Sequence, residues 1–382
     1  MVFPPLPGQR VKFIFMITAI TGYMLLCIPQ FLVFPGWFEN PVEAPRVFII
    51  SIGVYLLWRK GTNIAGNFVL VPLCVFFIIN FISMLGAADR WVALAGYYEA
   101  PYYGFFPLTM ISMAYLSAGK IENPHNIIAW TGALLGVVAV VQASTGETLW
   151  GGILPQGRAV GFRGSPVFFG ASLIPAFLVG WSIARKERTG KYIIPVCLAF
   201  CGMIAAGAKG ALLASLAGVW AMEARGKARW TGLLVIVAAL FVYLQFPIGN
   251  NPERMELIKI SWLAFWDRPW FGWGPDNFIL AFGRHITPEY VRIVGESLGQ
   301  ASAHNAVAQV AATLGITGLL AYAWLLLSMV RASTTRLSMA LLIGAFIQSL
   351  VNPIPIDVMI IFAVLLGTEH GDAFFIHQQE GA

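Results

Sequence analysis

The sequence predicts an all-α polytopic membrane protein of about twelve transmembrane helices, and three observations carry that reading. The 382 residues are 58% hydrophobic and 11% charged, with a mean hydropathy of +0.75, outside the range of soluble globular chains. Most apolar runs are about 12 to 25 residues long, around the roughly 20 that a helix needs to cross the hydrocarbon core. They also lack the two-residue alternation of barrel strands.

Taken in order, the expected spans are residues 11–34, 46–58, 67–85, 103–116, 127–142, 167–183, 192–207, 210–221, 230–246, 304–330, 337–350 and 356–366. Arg10 and Lys12 flank the first run, which is long and lacks a small-residue cleavage site, so it reads as a retained span. Several spans are short. The second and the last two suit tilted, interrupted or partly re-entrant helices, and the turn at Asn352, Pro353 and Pro355 needs protein cover at membrane depth.

Orientation follows from the basic residues in alternate loops: Arg59 and Lys60; Lys120; Arg185, Lys186, Arg188 and Lys191; Arg225, Lys227 and Arg229; Arg331 and Arg336. This positive-inside pattern predicts both termini in the cytoplasm. The other loops then face outward, which in a bacterium is the periplasm. Trp37, Trp91, Tyr97, Tyr98, Tyr102, Trp150, Trp270 and Trp273 fall in those loops, where amphipathic rings settle at headgroup depth. The largest outer loop, residues 247–303, is the long polar interruption of the chain and contains a helical pattern near residues 255–265. With no internal repeat or linker, residues 1–382 read as a single integral membrane domain.

Cys27, Cys74, Cys197 and Cys201 lie in apolar runs as free thiols, and metal ligands of the usual spacing are absent from the sequence. The net charge of +6 is spread over short loops rather than gathered on a soluble basic domain, which argues against nucleic acid.

Charge on the outer side is the informative anomaly. Arg158 and Arg163 stand in GRAVGFRGSP, Lys209 in AGAKGA, and Arg254 at the start of the large loop. Guanidinium and ammonium groups there suit the phosphates of a lipid pyrophosphate, while headgroup snorkelling is the bland alternative. His304 stands at the outer mouth of a span, with Gly315 about three turns on and nearly on the same face. A glycine there admits a neighbouring helix beneath the histidine. An imidazole at this depth suits general-base work on a hydroxyl, although a lone interfacial histidine is more often structural. Glu99, Asp276 and Glu296 read as solvated loop carboxylates, the glycines of GWGPDNF as a turn, and His285 as matching no motif. His125, His370 and His377 fall far from the outer cluster.

These residues resemble the O-antigen ligase and O-antigen polymerase superfamily (Wzy-C-like membrane glycosyltransferases). His304 and Gly315 match its His, ten residues, Gly motif, and Lys209 with Leu213 its Arg/Lys, three residues, Leu motif. The run from Arg254 through WLAFWDRPWFGWGPDNF resembles its large periplasmic loop, and GFRGSPVFFGASL an earlier loop-to-span signature. The resemblance spans roughly residues 158–322.

It implies a GT-C-like fold and a metal-independent, inverting transferase at the inner membrane, without cofactor, whose donor is an undecaprenyl-pyrophosphate-linked glycan. By resemblance, Lys209 and Arg254 hold the donor pyrophosphate, His304 acts on the acceptor hydroxyl, and Arg158 and Arg163 are further candidates. Lysine replaces the commoner arginine at position 209, which keeps the charge and loses the bidentate fork. Within the superfamily both short motifs point to the ligase, with a lipid A core acceptor. A polymerase joining lipid-linked repeats is the runner-up, and the lack of a large soluble C-terminal domain argues mildly against a protein-glycosylating enzyme. A transporter or flippase would place ionisable groups near the bilayer midplane, where these spans have almost none, and a scaffold would leave the outer cations without purpose.

Overall fold

The computed structural model of the chain describes residues 68–97, 103–118, 124–148, 153–161, 165–187, 190–224, 251–295 and 299–380. The expected spans 11–34, 46–58 and 230–246 lie outside them. Among the described residues there is no strand beyond an isolated bridge between Glu147 and Ile153. The helices, numbered here in chain order, begin with α1 (Leu70–Leu85), α2 (Arg90–Ala95), α3 (Phe105–Ser117), α4 (Pro124–Thr145), α5 (Pro166–Glu187), α6 (Ile193–Ala205) and α7 (Lys209–Glu223). They continue with α8 (Asn251–Asp267), α9 (Phe278–His285), α10 (Pro288–Val294), α11 (Ala306–Ala332), α12 (Arg336–Val351) and α13 (Ile356–Glu380).

Nine of the expected spans thus coincide with helices, their ends shifted by a few residues except at α13, which runs well past the expected end. Three of them, α4, α5 and α11, are by themselves long and apolar enough to cross a membrane, while α1, α3 and α12 are shorter apolar helices. Their outer faces carry Val71, Ile78, Leu134, Val137, Leu216, Leu320 and Leu327 in the open. Apolar surface on this scale is costly in water and suits lipid contact, so the described residues form an all-α fold of membrane type. Cys74, Cys197 and Cys201 are free thiols on these exposed faces.

Small residues set the helix spacing. Gly132 of α4 lies against Ala176 of α5, and a Cβ on Gly136 would come within 2.1 Å of the Leu198 carbonyl oxygen of α6. Such contacts let backbones approach without a hydrophobic drive between helices. Around this α4–α5–α6 group, α7 lies along α12, α3 along α13, and α1 along α11. One continuous apolar core joins them.

The large loop folds as a cap with a core of its own. Leu257, Ile260 and Ala264 recur at helical spacing on one face of α8, and that face packs on Phe278, Phe282, Tyr290, Ala308 and Ala312. The helical pattern expected near residues 255–265 is therefore part of a longer helix, joined by α9 and by α10, which Thr287 caps and Pro288 starts.

The long helix α11 is broken. Gly315 has φ 66° and ψ −161°, a conformation open essentially to glycine alone. Into the break comes the turn after α8: the Ile316 amide donates to the Pro269 carbonyl at 2.8 Å, and the Trp273 and Gly274 amides donate to the Ala312 and Thr313 carbonyls at 3.1 and 2.9 Å. This corrects two expectations from the sequence. His304 lies in the turn before α11 rather than on its face, and what approaches Gly315 is the 269–274 turn rather than a helix. The first part of α11, residues 306–314, bridges two helix ends, since Asn305 Nδ2 donates to the Leu350 carbonyl of α12 and Ser83 Oγ of α1 to that of Thr313.

Asp276 is a further correction. The expected solvated carboxylate is fully buried and accepts the backbone amides of Tyr97 at 2.8 Å and Tyr103 at 3.2 Å. Its neighbour Asn277 bonds Asp89 at both the amide and the carbonyl. The GWGPDNF run is a turn, as expected, and it also fastens the large loop to the loop between α1 and α3.

Candidate active site

His304 is fixed by its backbone neighbours. Asn305 caps α11 by accepting from the Val307 and Ala308 amides, the Ala303 amide donates to Gln309 Oε1 at 2.8 Å, and the His304 amide donates to Ser302 Oγ at 3.1 Å. These bonds hold His304 at φ 51°, in the left-handed region that costs an ordinary residue about 1–3 kcal/mol. Strain of this kind persists where the surroundings over-determine it. The ring is half-buried, and its Nδ1 is buried without a hydrogen-bond partner.

Arg254 reaches the same place from the first turn of α8. Its Nη2 donates to Asn352 Oδ1 at 3.0 Å, and Asn352 is the buried residue that ends α12. Asn352 also engages the His304 side chain. Gly210, the second residue of α7, abuts the same group: a Cβ there would lie 3.4 Å from Asn352 Nδ2 and 3.1 Å from Gln348 Oε1. Lys209, one residue earlier, is exposed at the start of α7. Arg158 arrives from the loop before α5. Its Nε donates to the Ala206 carbonyl at 2.9 Å and its Nη2 to the Gly207 carbonyl at 3.1 Å, which stitches it to the turn that presents Lys209.

Four of the five expected site residues, Arg158, Lys209, Arg254 and His304, therefore converge from separate segments. Arg163 lies outside the described residues, as do Glu99 and Glu296. His285 pairs with Asp267 at 3.4 Å and stands edge-on to Trp273, a role within the loop cap. His125 and His370 belong to a separate polar cluster with Glu369, Tyr115 and Ser333.

The electrostatics of the site are unbalanced. Neither Arg158 nor Arg254 forms an ion pair among the described residues, and burial first, then the Arg254 charge, pulls the Arg158 pKa down. Burial and, after it, the Arg254 charge lower His304 from 6.5 to about 4, with the Asn352 contact opposing. The imidazole is thus neutral at physiological pH. In a ¹³C/¹⁵N-histidine NMR titration of the donor-free protein, the His304 signal should titrate near pH 4. In Arg254→Ala the midpoint should move up, because a nearby positive charge disfavours the imidazolium. A midpoint near 6.5 in the wild type would show the ring to be solvated.

Asn352 and Gln348 are absent from the expected site. A polar pair in the last turn of an apolar run, followed by Pro353 and Pro355, is a signal in retrospect, but sequence gives no means to see that this turn meets α7 and α8.

Residues 194–323 match the family model described as O-Antigen ligase. The match supports the O-antigen ligase superfamily. Its extent takes in Lys209, Arg254 and His304, while Arg158 and Asn352 lie outside it. No curated protein matches the chain. The matched segment supports a likeness to O-antigen ligase or polymerase-like membrane glycosyltransferases.

Proposed function

We propose that this chain moves a glycan from an undecaprenyl-pyrophosphate carrier to an acceptor hydroxyl at the periplasmic face of the bacterial inner membrane, as an O-antigen ligase acting on lipid A core. The carrying observation is the pair of half-buried guanidiniums, Arg158 and Arg254, set without ion-pair partners among the described residues beside a neutral imidazole. Such a site lacks an anion, and a pyrophosphate supplies one.

In this reading Arg254, Lys209 and Arg158, joined by Arg163, hold the phosphates. The acceptor oxygen attacks the anomeric carbon from the face opposite the leaving group, the bond from that carbon to the pyrophosphate oxygen breaks, and configuration inverts. The acceptor proton passes to His304, and the electron pair leaves on undecaprenyl pyrophosphate, where the cations stabilise the developing charge. The bound phosphates also offset Arg254, so the ring is more basic with donor present than without it. No step requires a metal or a cofactor. The whole chain acts as one membrane domain with the loop at 247–303 outside and both termini inside.

The experiment is the identity of the glycolipid product. Purified protein, given the lipid-linked glycan and lipid A core, should yield glycan joined to the core. Longer lipid-linked glycan made without use of the core would identify a polymerase, and movement of lipid across liposomes without transfer would identify a flippase.

A further inference from the structure

Helix α8 has two apolar faces. Leu257, Ile260 and Ala264 are buried in the core of the cap. On the opposite face Met255, Lys259, Trp262, Leu263 and Trp266 recur at helical spacing and are exposed. On a helix facing water such a stripe would be charged and polar. Here its one charge is Lys259, whose ammonium pairs with Glu256 at 3.2 Å, while Trp266 stands 73% exposed. The acids of α8 line one edge and are taken up by its neighbours. Glu256 accepts from Thr287 at 2.7 Å and Glu253 from Tyr290 at 3.5 Å, and Asp267 pairs with Arg284 at 3.6 Å and His285 at 3.4 Å. The segment from α9 to α10 thus covers the acidic edge and leaves the apolar stripe bare.

Both ends of α8 are pinned to the ends of apolar helices of the bundle. At its start Arg254 Nη2 donates to Asn352 Oδ1, where α12 ends. Beyond its far end Ser83 Oγ, in the last turn of α1, donates to the Phe271 carbonyl at 2.6 Å, and Thr317 Oγ1 of α11 to that of Trp270 at 2.8 Å. A helix of this length spans roughly 25 Å, so α8 lies across the ends of the bundle rather than standing off them.

The bare stripe also continues a surface that already suits lipid. Leu327, Trp324 and Leu320 form an open face of α11, and one turn on from Leu320 comes Thr317, whose bond to Trp270 carries that line into the cap. Trp270 is 69% exposed, Phe271 is exposed beside it, and Trp266 stands four residues before it at the end of α8. Tryptophan, with an apolar body and one polar N–H, is the side chain best suited to the boundary between hydrocarbon and head groups.

We propose that the exposed face of α8 is seated in the membrane itself, so that the cap lies on the bilayer with Trp262, Trp266 and Trp270 at the boundary of acyl chains and head groups and Lys259 reaching back to the head groups. Such seating keeps Arg254, in the first turn of α8, at the depth of lipid phosphates.

The test uses wild-type protein in liposomes of phosphatidylethanolamine and phosphatidylglycerol, with a small share of phosphatidylethanolamine carrying a diazirine high on one acyl chain. After irradiation, labelled peptides are mapped by mass spectrometry. Residues 255–266 should label about as strongly as residues 320–327 of α11, which serve as the lipid-facing reference in the same sample. In Trp262→Glu with Trp266→Glu, labelling of 255–266 should fall several-fold while that of 320–327 is unchanged. Melting in detergent should stay close to that of the wild type, because both residues lie outside the cap core. The wild-type comparison needs no substitution and stands even if the variant fails to fold. Unlabelled 255–266 beside labelled 320–327 would overturn the proposal, and cross-links between Lys259 of two copies in that case would assign the face to self-association. Undiminished labelling in a folded variant would overturn it too, by showing that the stripe does not hold the lipid. The readout needs neither donor nor transfer, so it stands or falls apart from the glycosyltransferase reading.

Discussion

His304→Ala should lower the transfer rate by about 10²–10⁴-fold, the range for removing a positioned general base, while leaving donor affinity within a few fold. In the proposed mechanism the effect falls on kcat, because there the imidazole meets the acceptor proton in the transition state and the phosphates are held elsewhere. The substitution should leave the melting temperature close to that of the wild type. The turn is fixed by the Asn305 cap, the Ala303 to Gln309 bond and the backbone bond of residue 304 to Ser302, none of which uses the imidazole. Transfer kinetics and a thermal melt on the same sample check both parts. An unchanged rate would remove the catalytic assignment, and a large fall in melting temperature would make the histidine structural.

The second large effect belongs to Gly315. Replacing it by alanine places a methyl group 2.5 Å from the Trp270 carbonyl carbon and oxygen and 2.6 Å from the Pro269 carbonyl oxygen. Backbone on that side cannot yield without breaking the bonds from Ile316 and Thr317 that join the large loop to α11. The φ of 66° with ψ −161° adds strain for any residue with a Cβ. Strain and clash each cost about 1–3 kcal/mol, so the variant should lose about 3 kcal/mol or more and with it the folded cap. A thermal melt measures this in detergent. Because Arg254 rides on α8 within that cap, donor binding should weaken in parallel. A Gly315→Ala protein with wild-type melting and wild-type transfer would show that α11 does not need its break.

Much of this was legible in the chain because it depends on local sequence. Apolar runs placed nine of the thirteen helices, α1, α3 to α7 and α11 to α13, although α13 continues beyond the apolar run that announced it, and the short helices α2, α9 and α10 carry no apolar run to announce them. The outer cations drew attention through charge alone, and four of them with His304 matched motifs or stood in motif-bearing segments. The unread part is long-range. Asp276 looks solvated in sequence, yet its partners Tyr97 and Tyr103 are backbone amides more than 170 positions away. The Gly315 motif announced a close approach, but only the folded chain reveals a turn from the preceding loop rather than a helix. Asn352 took its place beside Arg254 for the same reason, since α12 ends where α8 begins only in three dimensions.

The central claim is that unpaired cations hold the donor pyrophosphate, and its most direct test is donor binding by the wild type and by Arg254→Ala. Purified protein titrated with undecaprenyl-pyrophosphate glycan should bind it in a salt-sensitive manner, and Arg254→Ala should weaken binding about tenfold or more while reducing that sensitivity, as expected when a half-buried charge-assisted contact is lost. Equal affinity in the two proteins would contradict the account.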